Sequence, residues 1–217
     1  MPERLVLHAD ARAWMAENPA PLQASVVTSL PDVSEMPNLG FDAWRAWFVE
    51  AARVVMRWVP REGAAIFFQS DIRYRGAWVD KAYLVLRAAE TEGAGVLWHK
   101  IVCRLPPGTV SQGRASYSHM LCVSRTFRPP KHPGPDVLDA AGAMTWSKAM
   151  GVEACRVACQ FLLDHTPTRV VVDPFCGHGT VLAVANALGL DAIGVEIAAK
   201  RCRTARRLVV ELGPKAG

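Results

Sequence analysis

The sequence predicts an open, doubly wound α/β sheet, and three observations point to it. Seven short apolar runs, Leu5–His8, Ser25–Ser29, Ala64–Gln69, Val96–Cys103, Tyr117–Ser124, Val170–Val172 and Ala192–Val195, alternate with stretches of helical periodicity. The run at Val170 ends in Asp173 and turns through Gly177 and Gly179 into a helix that opens at Thr180, a turn in which glycine lets the backbone approach a ligand. The run at Ala192 ends in Glu196, about twenty residues further on, where doubly wound folds place an acid for a ribose diol.

Each element has a local cause. Arg4-Leu-Val-Leu-His8 reads as a short strand, followed by Asp10 and the start of a helix through Trp14. Ala24 to Ser29 reads as a second strand that stops in the polar, proline-stiffened turn Ser29-Leu30-Pro31-Asp32. Asp42 is expected to cap a helix whose apolar face is Trp44, Trp47, Phe48, Ala51, Val54, Val55 and Trp58. Tryptophans at helical spacing belong to a core, so they are not read as a base-stacking platform. A further helix is expected from about Trp78 to Glu92 with Ala82, Tyr83, Leu86 and Ala89 inward, and others over Gly151 to Leu163 and Val181 to Leu188. The last helix is expected to carry Ala198, Cys202, Ala205, Leu208 and Val209 as its apolar residues and the basic run around Lys200 to Arg207 as a solvated face.

Composition narrows the function classes. A chain of 217 residues, 51% hydrophobic, can build one substantial core, so residues 1–217 are read as one domain. No apolar run reaches spanning length and no basic-then-apolar leader begins at Met1, which excludes a membrane partner and reads as cytoplasmic. The six cysteines lack paired C-x-x-C spacing and read as reduced, buried thiols, with no metal site assigned. Charge points to the partner. No carboxylate occurs between Glu92 and Asp136, while that stretch holds Lys100, Arg104, Arg114, Arg125, Arg128 and Lys131 interleaved with Trp98, Tyr117 and Phe127. Such a face is the footprint of phosphate contacts, and it is expected beside the catalytic cleft.

No G-x-G-x-x-G follows the strand at Val170, because Thr180 comes after Gly179, so a nicotinamide dinucleotide is disfavoured. Asp173-Pro-Phe-Cys-Gly-His-Gly-Thr180 instead resembles the DPFxGSGT motif of S-adenosylmethionine-dependent methyltransferases, with His178 in place of serine. That motif lies in the last quarter of the chain. The segments before it, Asp10-Ala, Ser29-Leu30-Pro31-Asp32, Trp98-His-Lys100, Ser118-His-Met120 and Thr145–Met150, are similar in order to those of the permuted, beta class of amino methyltransferases that act on DNA or RNA. The resemblance implies a Rossmann-like seven-stranded sheet in the order 3-2-1-4-5-7-6, its last strand antiparallel, with the catalytic half ahead of the cofactor half. It also implies a Pro-rich connector over 126–147 where larger relatives insert a target-recognition domain.

The cofactor implied is S-adenosyl-L-methionine. Glu196 is the candidate for its ribose hydroxyls, Asp10 for the adenine amine, and Asp173, the Gly177 and Gly179 backbone and Lys148 for its amino-acid tail. Phe175 would form an apolar wall and Thr180 the helix start. Asp10 and Glu196 also read as helix caps and Lys148 as a solvated charge. In the catalytic turn, Ser29 and the Leu30 carbonyl would accept the hydrogens of an exocyclic amine, with Pro31 stiffening the turn. Asp32 stands where the class carries an aromatic ring. It leaves open a general base, with Glu35, for a ring nitrogen, a ribose hydroxyl or a protein or small-molecule nucleophile, and equally an inactive cofactor-binding scaffold. The expected function is methyl transfer to a base amine of nucleic acid, RNA favoured over DNA, with a homodimer or adaptor subunit as a further partner.

Overall fold

Alternating apolar runs and short caps set the elements of the chain, whose computed structural model describes residues 2–128 and 134–213. Strand β1 (Arg4–His8) passes into α1 (Ala11–Glu17) through Asp10, which accepts from the Arg12 and Ala13 amides at 2.9 and 3.0 Å. Strand β2 (Ala24–Thr28) is buried at every position and leads through Ser29 to Asp32 into one 3-10 turn (Val33–Glu35). Helix α2 (Phe41–Trp58) and strand β3 (Ala65–Gln69) follow, then a hairpin of β4 (Ile72–Tyr74) and β5 (Ala77–Val79). Asp80 caps α3 (Lys81–Thr91) by accepting from the Tyr83 amide at 2.9 Å. Next come β6 (Gly95–Cys103), β7 (Tyr117–Ser124), the two-residue β8 (Val137–Leu138) and α4 (Val152–His165). The chain finishes with β9 (Val170–Asp173), α5 (Thr180–Ala187), β10 (Asp191–Glu196) and α6 (Ala199–Arg207).

The main sheet runs β1-β10-β9-β2-β3-β7-β6-β8, all parallel except β7, which is antiparallel to both β3 and β6. Counting β9 as the first strand, this is the expected order 3-2-1-4-5-7-6 with β8 added at the edge. Helices α1, α2 and α3 cover one face and α4, α5 and α6 the other, each with its own apolar cluster. Because both faces are covered, the central strands are continuously apolar.

Local expectations needed three corrections. Trp78 and Val79 belong to the hairpin, so the helix expected from Trp78 begins at Lys81; Asp80, a good cap, decides the boundary. Tyr83 is 55% exposed, while Ala82 and Ala89 face inward as read and are joined there by Leu84, Val85 and Ala88. Asp42 lies in the first turn of α2, and Gly40 occupies the cap position. The inward face of α2 is otherwise as read, with Trp44, Phe48, Ala51 and Val55 buried. Lys131 and part of the Pro-rich connector lie outside the described residues.

Candidate active site

Strands β9 and β2 are neighbours where the strand order reverses, and their carboxyl ends open into one cavity of about 350 Å³. β9 stops after Asp173 because Pro174 has no amide hydrogen for the ladder. Gly177 and Gly179, at φ +54° and +84°, then turn the chain into α5. The Gly177 amide donates to Glu196 Oε2 at 3.1 Å and the Ala198 amide to Oε1 at 2.8 Å. The glutamate thereby clamps the glycine turn to the end of β10 while both its oxygens keep accepting capacity. It does not cap α6, whose cap position is Ala198.

Asp173 lies at the floor, 4% exposed. Its Oδ1 accepts from Thr28 Oγ1 at 2.7 Å and from the Phe175 amide at 3.1 Å. Burial pushes its pKa up to about 7, against the lowering effect of those two hydrogen bonds, and the nearby Glu196 carboxylate adds to the rise. A cationic group in the cavity would reverse the balance.

The two glycines do different work. A Cβ on Gly177 would meet the Trp146 indole at 3.0 Å, above the cavity, whereas one on Gly179 would meet the Ala205 Cβ of α6 at 2.8 Å. Gly179 therefore permits close helix packing and does not line the cavity, which corrects its assignment to ligand approach. Asp10, Phe175, Thr180 and Glu196 do line it.

Ser29, Leu30 and Pro31, which follow the neighbouring β2, also line the cavity. The Pro31 carbonyl accepts from Trp44 Nε1 at 3.1 Å, which pins the turn to α2. Asp32 points elsewhere: its carboxylate pairs with Lys81 Nζ at the start of α3, and it does not line the cavity. A general base at Asp32 is thus corrected to a residue that holds the turn from behind. Glu35 does face the cavity, accepts from the Asp32 amide at 3.2 Å and pairs with Lys148 at 3.2 Å. Lys148 belongs to a strap that ties the two halves. Thr145 Oγ1 lies 2.5 Å from Thr180 Oγ1, and Trp146 stacks on His178 with ring centroids 4.5 Å apart. Trp146 was within a segment quoted from the sequence, but nothing in its spacing marked it as a cavity wall.

The basic stretch is split by the fold. Because β7 runs antiparallel, its start lies at the carboxyl rim with Arg104 and Arg114, and its end delivers Arg125 and Arg128 to the opposite rim. There Arg125 donates to the Val59 carbonyl and the Arg128 guanidinium lies against Gly95. Lys100 is 1% exposed, and its ammonium donates to the Pro135 and Gly134 carbonyls at 2.7 and 3.2 Å. Lys100, Arg125 and Arg128 are therefore corrected to structural roles away from the cleft. Arg104 and Arg114 remain beside it, and burial, then the neighbouring Arg114 charge, lowers the Arg104 pKa.

Residues 162–207, which build α4's end, the glycine turn, β10 and α6, match a family described as DNA methylase. The matched stretch is less than half of the chain. Solved structures share the fold of the chain. A candidate DNA modification methylase from Thermus thermophilus superposes with a TM-score of 0.72 at 19% identity, over 94% of this chain and 93% of that one. PvuII DNA methyltransferase, described as cytosine-N4-specific, gives 0.72 at 16% identity over 98% and 89% of the two chains. A complex of M1.HpyAVI with S-adenosylmethionine gives 0.63 at 17% identity over 94% and 98%. No curated protein matches the chain at the level of sequence.

The donor set of the cavity fits S-adenosylmethionine. Two buried carboxylates, Asp173 and Glu196, face a cavity whose wall combines the apolar Phe175, Met36, Val195 and Ile197 with the charged Asp10, Glu35, Lys148 and Arg201, and they are acceptors for a cationic ligand with a ribose. Asp10 at the mouth keeps Oδ2 free of its helix cap. Among the described residues no helix is long and apolar enough to cross a membrane.

Proposed function

We propose that the protein methylates an exocyclic amine of a base in DNA. One observation carries this reading: the Ser29-Leu30-Pro31 turn and the Asp173–Glu196 pair line a single cavity although they come from opposite ends of the chain. Bound there, S-adenosylmethionine supplies an electrophilic methyl group. Glu196 and Asp10 would hold its nucleoside, and Asp173 and Lys148 its amino-acid tail. Ser29 Oγ and the Leu30 carbonyl would accept the amine hydrogens of an extruded base, which frees the nitrogen lone pair for attack and strengthens as charge develops. The family description and the names of the similar structures speak of DNA, and nothing in them favours the RNA expected from the sequence.

The deciding experiment is methyl transfer from labelled S-adenosylmethionine to DNA and to RNA, followed by nucleoside mass spectrometry. Methylated adenine or cytosine in DNA is expected, and Ser29→Ala should lower the rate about a hundredfold without weakening cofactor binding. Transfer to RNA alone, or none with Ser29 intact, would replace the reading.

A further inference from the structure

The β4–β5 hairpin stands on the carboxyl rim, between β3 and α3, and the cofactor cavity does not use it. Its inner face is anchored. Ile72 and Val79 pack on the core, and Tyr74 stacks on Phe41 of α2 with ring centroids 3.8 Å apart and planes within 4°. Its outer face is not. Arg73 and Trp78 are cross-strand partners, with the guanidinium 4.7 Å from the indole centroid and Trp78 49% exposed. At the tip, Arg75 and Gly76 have φ of +50° and +84°, the conformation of a two-residue turn that favours asparagine or glycine. Arg75 is the one non-glycine residue with positive φ among the described residues. A strained arginine held at a ribbon tip is a feature that stability alone does not account for.

The hairpin is continuous with the catalytic turn. Asp80 joins it to Lys81, which grips Asp32, and Asp71 at its other end accepts from the Lys81 amide at 2.9 Å. Both acids at the base are engaged, Asp71 also with His119 at 3.2 Å and Asp80 as the cap of α3. Neither Arg73 nor Arg75 forms a salt bridge among the described residues. Arg104, on the same rim, donates to Ser70 at 3.0 Å.

We propose that this hairpin docks DNA beside the acceptor base, Arg73 and Arg75 on phosphates and Trp78 against an exposed base or sugar. The inference rests on the DNA reading and names the surface that serves it. Two three-residue strands project about 10 Å, and a two-stranded ribbon of that size enters a major groove about 12 Å wide. Arginines flanking an exposed aromatic supply counterion release together with stacking.

The test is fluorescence anisotropy of labelled duplex DNA at several salt concentrations, with cofactor affinity and thermal midpoint measured on the same proteins. R73E/R75E should weaken DNA binding at least about tenfold and flatten the slope of log K against log salt by about 2, with cofactor affinity unchanged. Trp78→Ala should weaken binding about fivefold and Trp78→Phe restore most of it. Arg75→Gly, which relieves the backbone, should raise the thermal midpoint while still weakening DNA binding. Arg128→Glu on the opposite rim is the control for charge alone and should change little. Wild-type DNA affinity and salt slope in R73E/R75E would overturn the hairpin's role while wild-type methyl transfer to DNA leaves the activity standing. Absence of that transfer in the wild type would overturn both.

Discussion

Thr28 Oγ1 donates to Asp173 Oδ1 at 2.7 Å across a buried contact between residues 145 positions apart. The bond joins the last residue of β2, which leads into the Ser29–Asp32 turn, to the last residue of β9, which leads into the glycine turn. A chain whose cofactor motif comes late in sequence thereby closes one site from its two halves.

Asp173 should oppose stability and binding to each other. Its folded pKa, about 7, lies above the ordinary 3.8, so the stability held by its protonated form is full below about pH 4 and lost as pH rises through 7. Asp173→Asn should therefore raise the unfolding free energy of the ligand-free protein at pH 8, by about a few kcal/mol at most, and with it the thermal midpoint. The same change should abolish detectable S-adenosylmethionine binding by calorimetry. In the wild type, cofactor affinity should climb between pH 6 and 8, with proton release on binding near pH 6.5 when buffers of different ionisation enthalpy are compared. A flat pH profile would remove Asp173 from contact with the ligand's ammonium.

The glycine turn separates packing from ligand approach. Gly179→Ala meets both a positive φ and the Ala205 Cβ, whereas Gly189→Ala has the same φ of +84° with open space around it. Denaturant melts should show about 1 kcal/mol lost at Gly189 and about 3 kcal/mol at Gly179. Equal losses would mean that α6 yields freely.

Lys81 and Asp32 should behave as a couple. Removing Asp32 leaves a nearly buried ammonium without its partner, and Asp32 is itself about one-third exposed, so Asp32→Ala should cost about 2 kcal/mol. The double variant D32A/K81M should recover most of that loss. Turnover should fall through disorder of the Ser29 turn, with no change in the acidic limb of the pH profile, since Asp32 does not face the cavity. Loss of that limb in Asp32→Asn would restore the general-base reading.

Lys148 is 42% exposed at its side chain and pairs with Glu35 across the cavity mouth, so the pair adds little to stability. Lys148→Ala should leave the melting curve nearly unchanged and weaken cofactor binding about tenfold, since a charged hydrogen bond to the ligand's carboxylate is lost. Unaltered affinity would make the lysine a strap residue alone.

Periodicity, caps and turn chemistry by themselves determined the strand and helix order, because those signals are local: apolar runs at Val170 and Ala192, the glycines after Asp173, the proline-stiffened turn after Ser29. From them and the likeness of the motifs came the sheet order and part of the cavity wall, including Asp10, Lys148, Phe175 and Glu196. What the tertiary structure decided are directions. Asp32 is adjacent to Ser29 in sequence yet faces Lys81, and Gly179 serves α6 where Gly177 serves the cavity. The basic residues between Glu92 and Asp136 form one run along the chain, but the antiparallel β7 sends its two ends to opposite rims, and Lys100 is buried. Linear order carries the identity of each side chain, while the direction of its strand and the neighbour that claims its hydrogen bonds are settled only when the sheet is assembled.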